Sequence, residues 1–220
     1  MSMPFTIREF LDVFARYNTA IWPFQLVMTA AALGAVVMAL RGGRGRLVGA
    51  YLVAQWAWTG VVYHWLFFSA INPAARGFAI LWLAGALAFA WAGLWKGRLV
   101  FRTTSPPRLI VGTLLIAYAL VVYPILGHFD GRAYPFSPTY GAPCPVTILT
   151  FGLLWLARPP LSRFLLIAPV LWAAVGSVGA FSLDVREDLG LLVAGVSGIV
   201  LALLPAPQPR AEEPREVQGA

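Results

Sequence analysis

The sequence is short of charge. Only 11% of its 220 residues are Asp, Glu, Lys or Arg, against about 25% in a soluble domain. Hydrophobic residues make up 60% of it, and the mean hydropathy is +0.76. Too little polar surface is left to coat a water-soluble globule, so lipid is the expected solvent. Cysteine occurs once, at Cys144, which excludes an internal disulfide and a thiolate-cluster metal site within one chain. Histidine occurs twice, at His64 and His128. HExxH, GxSxG and CxxC are all absent, so no motif of diagnostic spacing announces an enzyme.

What is abundant is uncharged length. Crossing roughly 30 Å of hydrocarbon takes about 20 helical residues. Seven spans are predicted, at 20–40, 47–71, 77–95, 109–127, 143–157, 164–183 and 189–204, and none contains Asp, Glu, Lys or Arg. The runs are continuous rather than alternating at period two. The expected fold class is therefore all-α, a membrane bundle of about seven helices and not a barrel.

Basic residues give the expected orientation. Arg41, Arg44 and Arg46 follow the first span; Lys96, Arg98, Arg102 and Arg108 separate the third from the fourth; Arg158 and Arg163 separate the fifth from the sixth. With Arg210 and Arg215 they place 11 of the 16 basic residues on one side, which predicts an outside N-terminus and a cytoplasmic C-terminus. The net charge of +7 is then a topology signal. Spread over short loops, it argues against nucleic acid as a partner and leaves the lipid bilayer.

One domain is expected, over 19–204. Residues 1–18 carry Arg8, Glu9, Asp12 and Arg16 where a signal peptide would be apolar. Thr6 and Glu9 have the spacing of a capping box, and Ile7, Phe10, Leu11 and Phe14 share one face, as in a helix lying on the outer membrane surface. A plain extension of the first span is the alternative. The Pro- and charge-rich tail at 205–220 is expected to be disordered.

Polar residues gather at one depth. Counting at 1.5 Å per residue puts Gln25, His64, Thr147, Ser177 and Ser197 in a layer on the order of 10 Å below the outer surface. Buried polar groups of this kind serve either as interhelical hydrogen bonds or as the lining of a wet cavity. The outer loops add Asn72, His128, Asp130, Asp184, Glu187 and Asp188. Asn72-Pro73 also reads as a helix stop, and Glu187 and Asp188 as favourable charges at the start of the seventh span. Trp22, Tyr63 and Tyr134 read as interfacial anchors. GVVYHW and LVVYPI recur 60 residues apart, a hint of a duplicated helix pair.

The 127–150 stretch stands out. Pro135, Pro138, Pro143 and Pro145 forbid regular helix across it, and Gly141 permits a sharp turn. From Pro143 only about 22 Å of helix remains, so irregular backbone is expected below the surface, a pointer to a binding site. Cys144 and Thr147 would lie at the positive end of the fifth span, where a thiolate or anion is favoured. The candidate ligand-binding set is Gln25, His64, Asn72, His128, Asp130, Tyr140, Cys144, Thr147 and Ser177.

YNTAIWP, VVYHWLFFSAINPAA, YPFSPTYGAPCPVTI and EDLGLLVAG together resemble a bacterial family of small multi-spanning membrane proteins, catalogued only as a domain of unknown function. The resemblance runs from Phe5 to about Leu204, with Pro-Cys-Pro and Asn-Pro-Ala-Ala its more specific pieces. It implies a bacterial inner-membrane protein and supplies no activity.

Three functions follow. The first is binding or passage of a small solute or ion at an outward-facing pocket. The second is an intramembrane enzyme or metal site, using Cys144 with His64 or His128 and Asp130. The third is a structural or partner-binding subunit, homo-oligomers included, since Gly190, Ala194 and Gly198 form a close-packing face.

Overall fold

The computed structural model describes residues 4–43, 45–101, 105–183 and 185–205. The expectations placed on Arg44, Arg102, Asp184 and the 206–220 tail lie outside the described residues. Nine α-helices are present among the described residues: α1 (Ile7–Ile21), α2 (Phe24–Arg41), α3 (Gly45–Trp58), α4 (Ala75–Phe89), α5 (Pro106–Ala117), α6 (Tyr123–Phe129), α7 (Pro143–Leu156), α8 (Phe164–Leu183) and α9 (Leu189–Leu203). Three π-helical stretches, Thr59–Phe67, Ala90–Trp95 and Tyr118–Val122, prolong α3 and α4 and join α5 to α6. The last of these ends two residues before Pro124. A wide turn there relieves the clash of the proline ring with the carbonyl four residues back.

Four helices are long and apolar enough to cross a membrane: Phe24–Arg41, Ala75–Trp95, Pro106–Phe129 and Phe164–Leu183. Helix α7 is apolar but shorter. It is also the axis of the bundle. All of its residues except Cys144 are buried, and α5, α8, α9, α2 and α3 pack around it. A helix apolar all round, with no polar stripe, belongs in such a place.

Helix α1 opens with the capping box. Thr6 N donates to Glu9 Oε2 at 2.8 Å, and Glu9 N donates to Thr6 Oγ1 at 3.3 Å. The helix ends before Pro23, which disfavours helical backbone at Trp22. Its inner face is shifted from the expected one. Val13, Phe14, Tyr17 and Ile21 are buried and Phe10 and Leu11 half-buried, whereas Ile7 is exposed. The ring of Phe14 packs 5.7 Å from that of Tyr63, and the ring of Tyr17 5.5 Å from that of Phe67. So α1 lies against the protein across the end of the bundle.

Helices approach closely at glycines. A Cβ on Gly152 of α7 would lie 3.0 Å from the Gly112 carbonyl oxygen of α5 and 2.7 Å from Ile116 Cγ1. The small-residue face of α9 is used internally, with Gly190 against the Tyr118 ring and Gly198 against the Phe151 ring. That face is therefore not free to pair with a second copy. Gly152→Ala should cost about 1–3 kcal/mol, because two backbones must separate. Gly34→Ala, where a Cβ meets nothing within 4 Å, should be neutral or gain up to about 1 kcal/mol. Thermal unfolding of the purified protein in detergent checks both.

Candidate functional site

Because α7 stops short of its neighbours, the space beyond its N-terminus has to be filled otherwise. The 130–142 segment fills part of it. Asn18 on α1 holds that segment, donating from Nδ2 to the carbonyls of Pro135 (2.6 Å) and Ser137 (2.8 Å). Tyr17 donates to the Gly141 carbonyl at 3.1 Å, and Trp58 Nε1 donates to the Tyr17 hydroxyl at 3.0 Å. Gly141 has φ +104°, and a Cβ there would lie 3.0 Å from Met28 Cε, so only glycine fits this turn.

The rest of the space is a cavity of about 340 Å³ between α1, α4, α6, α8 and the start of α7. Its walls are aromatic and aliphatic, with Phe5, Phe14, Phe68, Phe78 and Trp172 prominent. Val175, Val178 and Gly179 of α8 form part of the lining, and the two valines are exposed. The cavity therefore has a rim on the outer face of α8. The Trp172 indole N–H is buried without a hydrogen-bond partner among the described residues.

Three polar groups meet at the wall formed by α6, α7 and the Arg186–Asp188 turn. Tyr123 donates to Asp188 Oδ1 at 2.5 Å, and the Cys144 thiol lies beside the same carboxyl. Asp188 is 5% exposed. Burial pushes its carboxyl up to about 7; Tyr123 and the neighbouring Cys144 thiol pull it down, Glu187 pushes it up, and Arg132 pulls it down. Beside it, fully buried Glu187 is paired with Arg132 at 2.5 Å, and Arg132 also reaches Asp130 at 3.0 Å. None of the ion pairs among the described residues includes Asp188.

Of the nine candidate residues, Asn72 and Cys144 line this cavity. The others are placed elsewhere. Gln25 donates to Asn18 Oδ1 (2.8 Å) and Thr139 Oγ1 (2.7 Å), so it supports the 130–142 segment. Tyr140 shares a hydroxyl–hydroxyl bond with Tyr51. Thr147 and Ser177 bond to carbonyls one turn back, at 2.9 and 2.7 Å. His128 is exposed, and Asp130 belongs to the Arg132 ion pair. Asn72 Oδ1 accepts from Ala74 N at 3.1 Å, closing a turn before α4.

His64 is fully buried, and neither ring nitrogen has a partner among the described residues. Its ring lies 4.7 Å from that of Trp172, 5.7 Å from that of Trp82 and 5.9 Å from that of Phe78. It stands behind the cavity wall rather than in it. The polar layer is thus no single constellation: each member faces a different neighbour.

Two expectations are corrected. Prolines 143 and 145 carry no N–H, which removes two of the four donors a helix start would offer an anion. A third, Ala142 N, is directed to the Thr139 carbonyl at 3.0 Å. With the Asp188 carboxyl also at this end, a thiolate or bound anion is opposed rather than favoured. The second correction concerns Tyr63, which is 2% exposed and lines the cavity instead of anchoring at an interface. Tyr63 and Tyr123, both lining residues, are the equivalent tyrosines of the two recurring VVY stretches. That recurrence was the available signal for both. Asp188, read as a helix-start charge, carried none of its own.

Comparison with known proteins now places the sequence. The profile of the DUF6064 family, a family of unknown function, matches residues 7–213. The chain belongs to the DUF6064 family. The match takes in every element of the bundle, α1 and the 130–142 segment included. No curated protein and no solved structure matches the chain. Among the described residues no group of three or more His, Cys, Asp or Glu is placed to hold a metal ion. Cys144 lies beside Asp188 and Tyr123.

Asp188 generates a pH prediction. Its folded value of about 7 lies above the ordinary 3.8, so its contribution to stability is full below about pH 4 and is lost as pH rises through 7. The loss amounts to on the order of 1 kcal/mol per pH unit across that window. Asp188→Asn should remove it. The difference in unfolding temperature between wild type and Asp188→Asn should therefore change steadily from pH 4 to 7 and level off above.

Proposed function

We propose that this DUF6064 protein is a bacterial inner-membrane protein whose cavity binds a small, largely apolar molecule. One transmembrane domain over 19–204 crosses seven times, with an interfacial helix before it, a tail after it and the N-terminus outside. Three segments complete the four long helices: α3 with its π-helical extension, α7, and α9. The excess of arginine and lysine in alternate loops supports the orientation. On it, the cavity lies in the outer half of the membrane.

The observation that carries the reading is the cavity itself. At about 340 Å³ it falls within the range of small-molecule sites, and its apolar walls converge on a few polar groups at one end. Its rim on α8 supports entry from the membrane rather than from water. Binding is favoured over thiol catalysis because burial, and the carboxyl of Asp188 beside it, hold the Cys144 thiol away from the reactive thiolate.

Two measurements test this. Periplasm-dependent reporters fused near Arg76 or Arg132 should be active, and those near Arg44 or Arg102 silent; the reverse pattern overturns the topology. Native mass spectrometry of gently extracted wild-type protein should show a small molecule retained, and Val175→Trp, which fills the rim, should release it. No adduct, or one unaffected by that substitution, counts against binding here.

A further inference from the structure

We propose that the cavity ligand is a lipophilic cation, an amine or quaternary ammonium with an apolar body, and that Asp188 is its counter-ion. This rests on the cavity being a binding site, and it adds the charge of what binds. The argument begins with the charges at that end of the bundle. Arg132 is engaged by Glu187 at 2.5 Å and by Asp130 at 3.0 Å, and Arg186 lies 4.0 Å from Asp130. Asp188 faces the cavity with a hydrogen bond from Tyr123 and Cys144 beside it, but no ion pair among the described residues. A carboxylate taken out of water without a cation is costly. A bound cation offsets that cost inside the site.

The walls agree with the floor. Aromatic side chains attract cations through the negative faces of their rings, most strongly where water is excluded. Phe5, Phe10, Phe14, Phe68, Phe78 and Trp172 supply such surface around one carboxyl. The α7 terminus agrees as well, since Pro143 and Pro145 withhold the amide donors an anionic headgroup would use. A neutral ligand would satisfy the walls but leave Asp188 protonated or uncompensated.

Protonation supplies a second signature. The groups around Asp188 are Tyr123 on α6, Cys144 on α7, Glu187 beside it and Arg132 from the 130–142 segment, with Tyr63 and Tyr118 at longer range. Of these, Asp188 itself has its midpoint near 7. A cation must displace its proton, so binding should release a proton near pH 7 and weaken as pH falls.

The experiment uses the full chain in phosphatidylcholine nanodiscs, titrated calorimetrically against empty discs. The probes are benzyltrimethylammonium and its neutral carbon isostere, neopentylbenzene. At pH 8 the cation should bind at least about tenfold more tightly than the isostere. Below pH 7 its affinity should drop about tenfold per unit while that of the isostere holds. In Asp188→Asn the preference should fall to about one, with isostere binding retained as proof of fold. If that variant does not fold, proton release by the wild type on cation binding, read from the buffer dependence of the heat, decides instead. Equal affinity for the two probes, or a preference that survives in Asp188→Asn, overturns the cation assignment and leaves the apolar cavity standing. Binding of neither probe overturns both.

Discussion

The length of α7 is the constraint from which the rest of the structure follows. It is buried on every side, so it is the surface against which the other helices are placed, yet it has only 14 residues. At 1.5 Å per residue it spans about 21 Å, while the helix from Pro106 to Phe129 has 24 residues and α8 has 20. A short axis inside longer walls leaves a hollow at one end. Buried irregular backbone is admissible there only if its polar groups find partners in the protein. Asn18 and Tyr17 donate to the carbonyls of Pro135, Ser137 and Gly141, and Gln25 supports Asn18 and Thr139 from behind. What the segment does not fill is the cavity.

The same hollow explains the buried acids. Glu187 and Asp188 sit in a short turn between α8 and α9, two helices that pack along each other and must be joined tightly. The turn lands beside the α7 terminus and inside the rim of protein around it. Glu187 is compensated by Arg132 from the 130–142 segment, so the two irregular pieces of chain stabilise one another. Removing Arg132 alone would leave a buried carboxylate unpaired, which costs more than the pair contributes. Asp188, one residue on, accepts from Tyr123 and belongs to none of the ion pairs among the described residues.

Much of the architecture was legible in the sequence, because helix boundaries obey local rules. The capping box at Thr6 and Glu9 and the start of α7 at Pro143 depend on residues within one turn of the event. The first span, expected at 20–40, is instead broken at Pro23 between α1 and α2. The site was legible only in part. Counting residues along a helix gives height but not azimuth, and successive side chains turn by about 100°. Gln25, His64, Thr147 and Ser177 were therefore grouped by depth although they face different neighbours. Asp188, one of the outer-loop acids, falls outside the candidate set for the complementary reason. A carboxylate after an apolar helix is ordinarily a solvated helix-start charge, and only the packing of its turn against α6, α8 and α9 makes it buried.

The π-helical stretches close the argument between sequence and site. A π-turn holds an extra residue, so the side chains beyond it are rotated relative to those of an ideal α-helix. The first VVY stretch lies within Thr59–Phe67, and the second begins in Tyr118–Val122 and ends at Tyr123. Both deliver a tyrosine to the cavity, one beneath α1 and one onto Asp188. In the second, Pro124 gives a local reason for the wide turn. Its effect is to rotate Tyr123 with respect to Tyr118, so that Tyr118 donates to the Glu187 carbonyl at 2.8 Å while Tyr123 reaches the Asp188 side chain. One irregular turn thus fixes both the backbone and the carboxyl of the acidic pair, and the polar end of the cavity is held by the walls rather than by the loop alone.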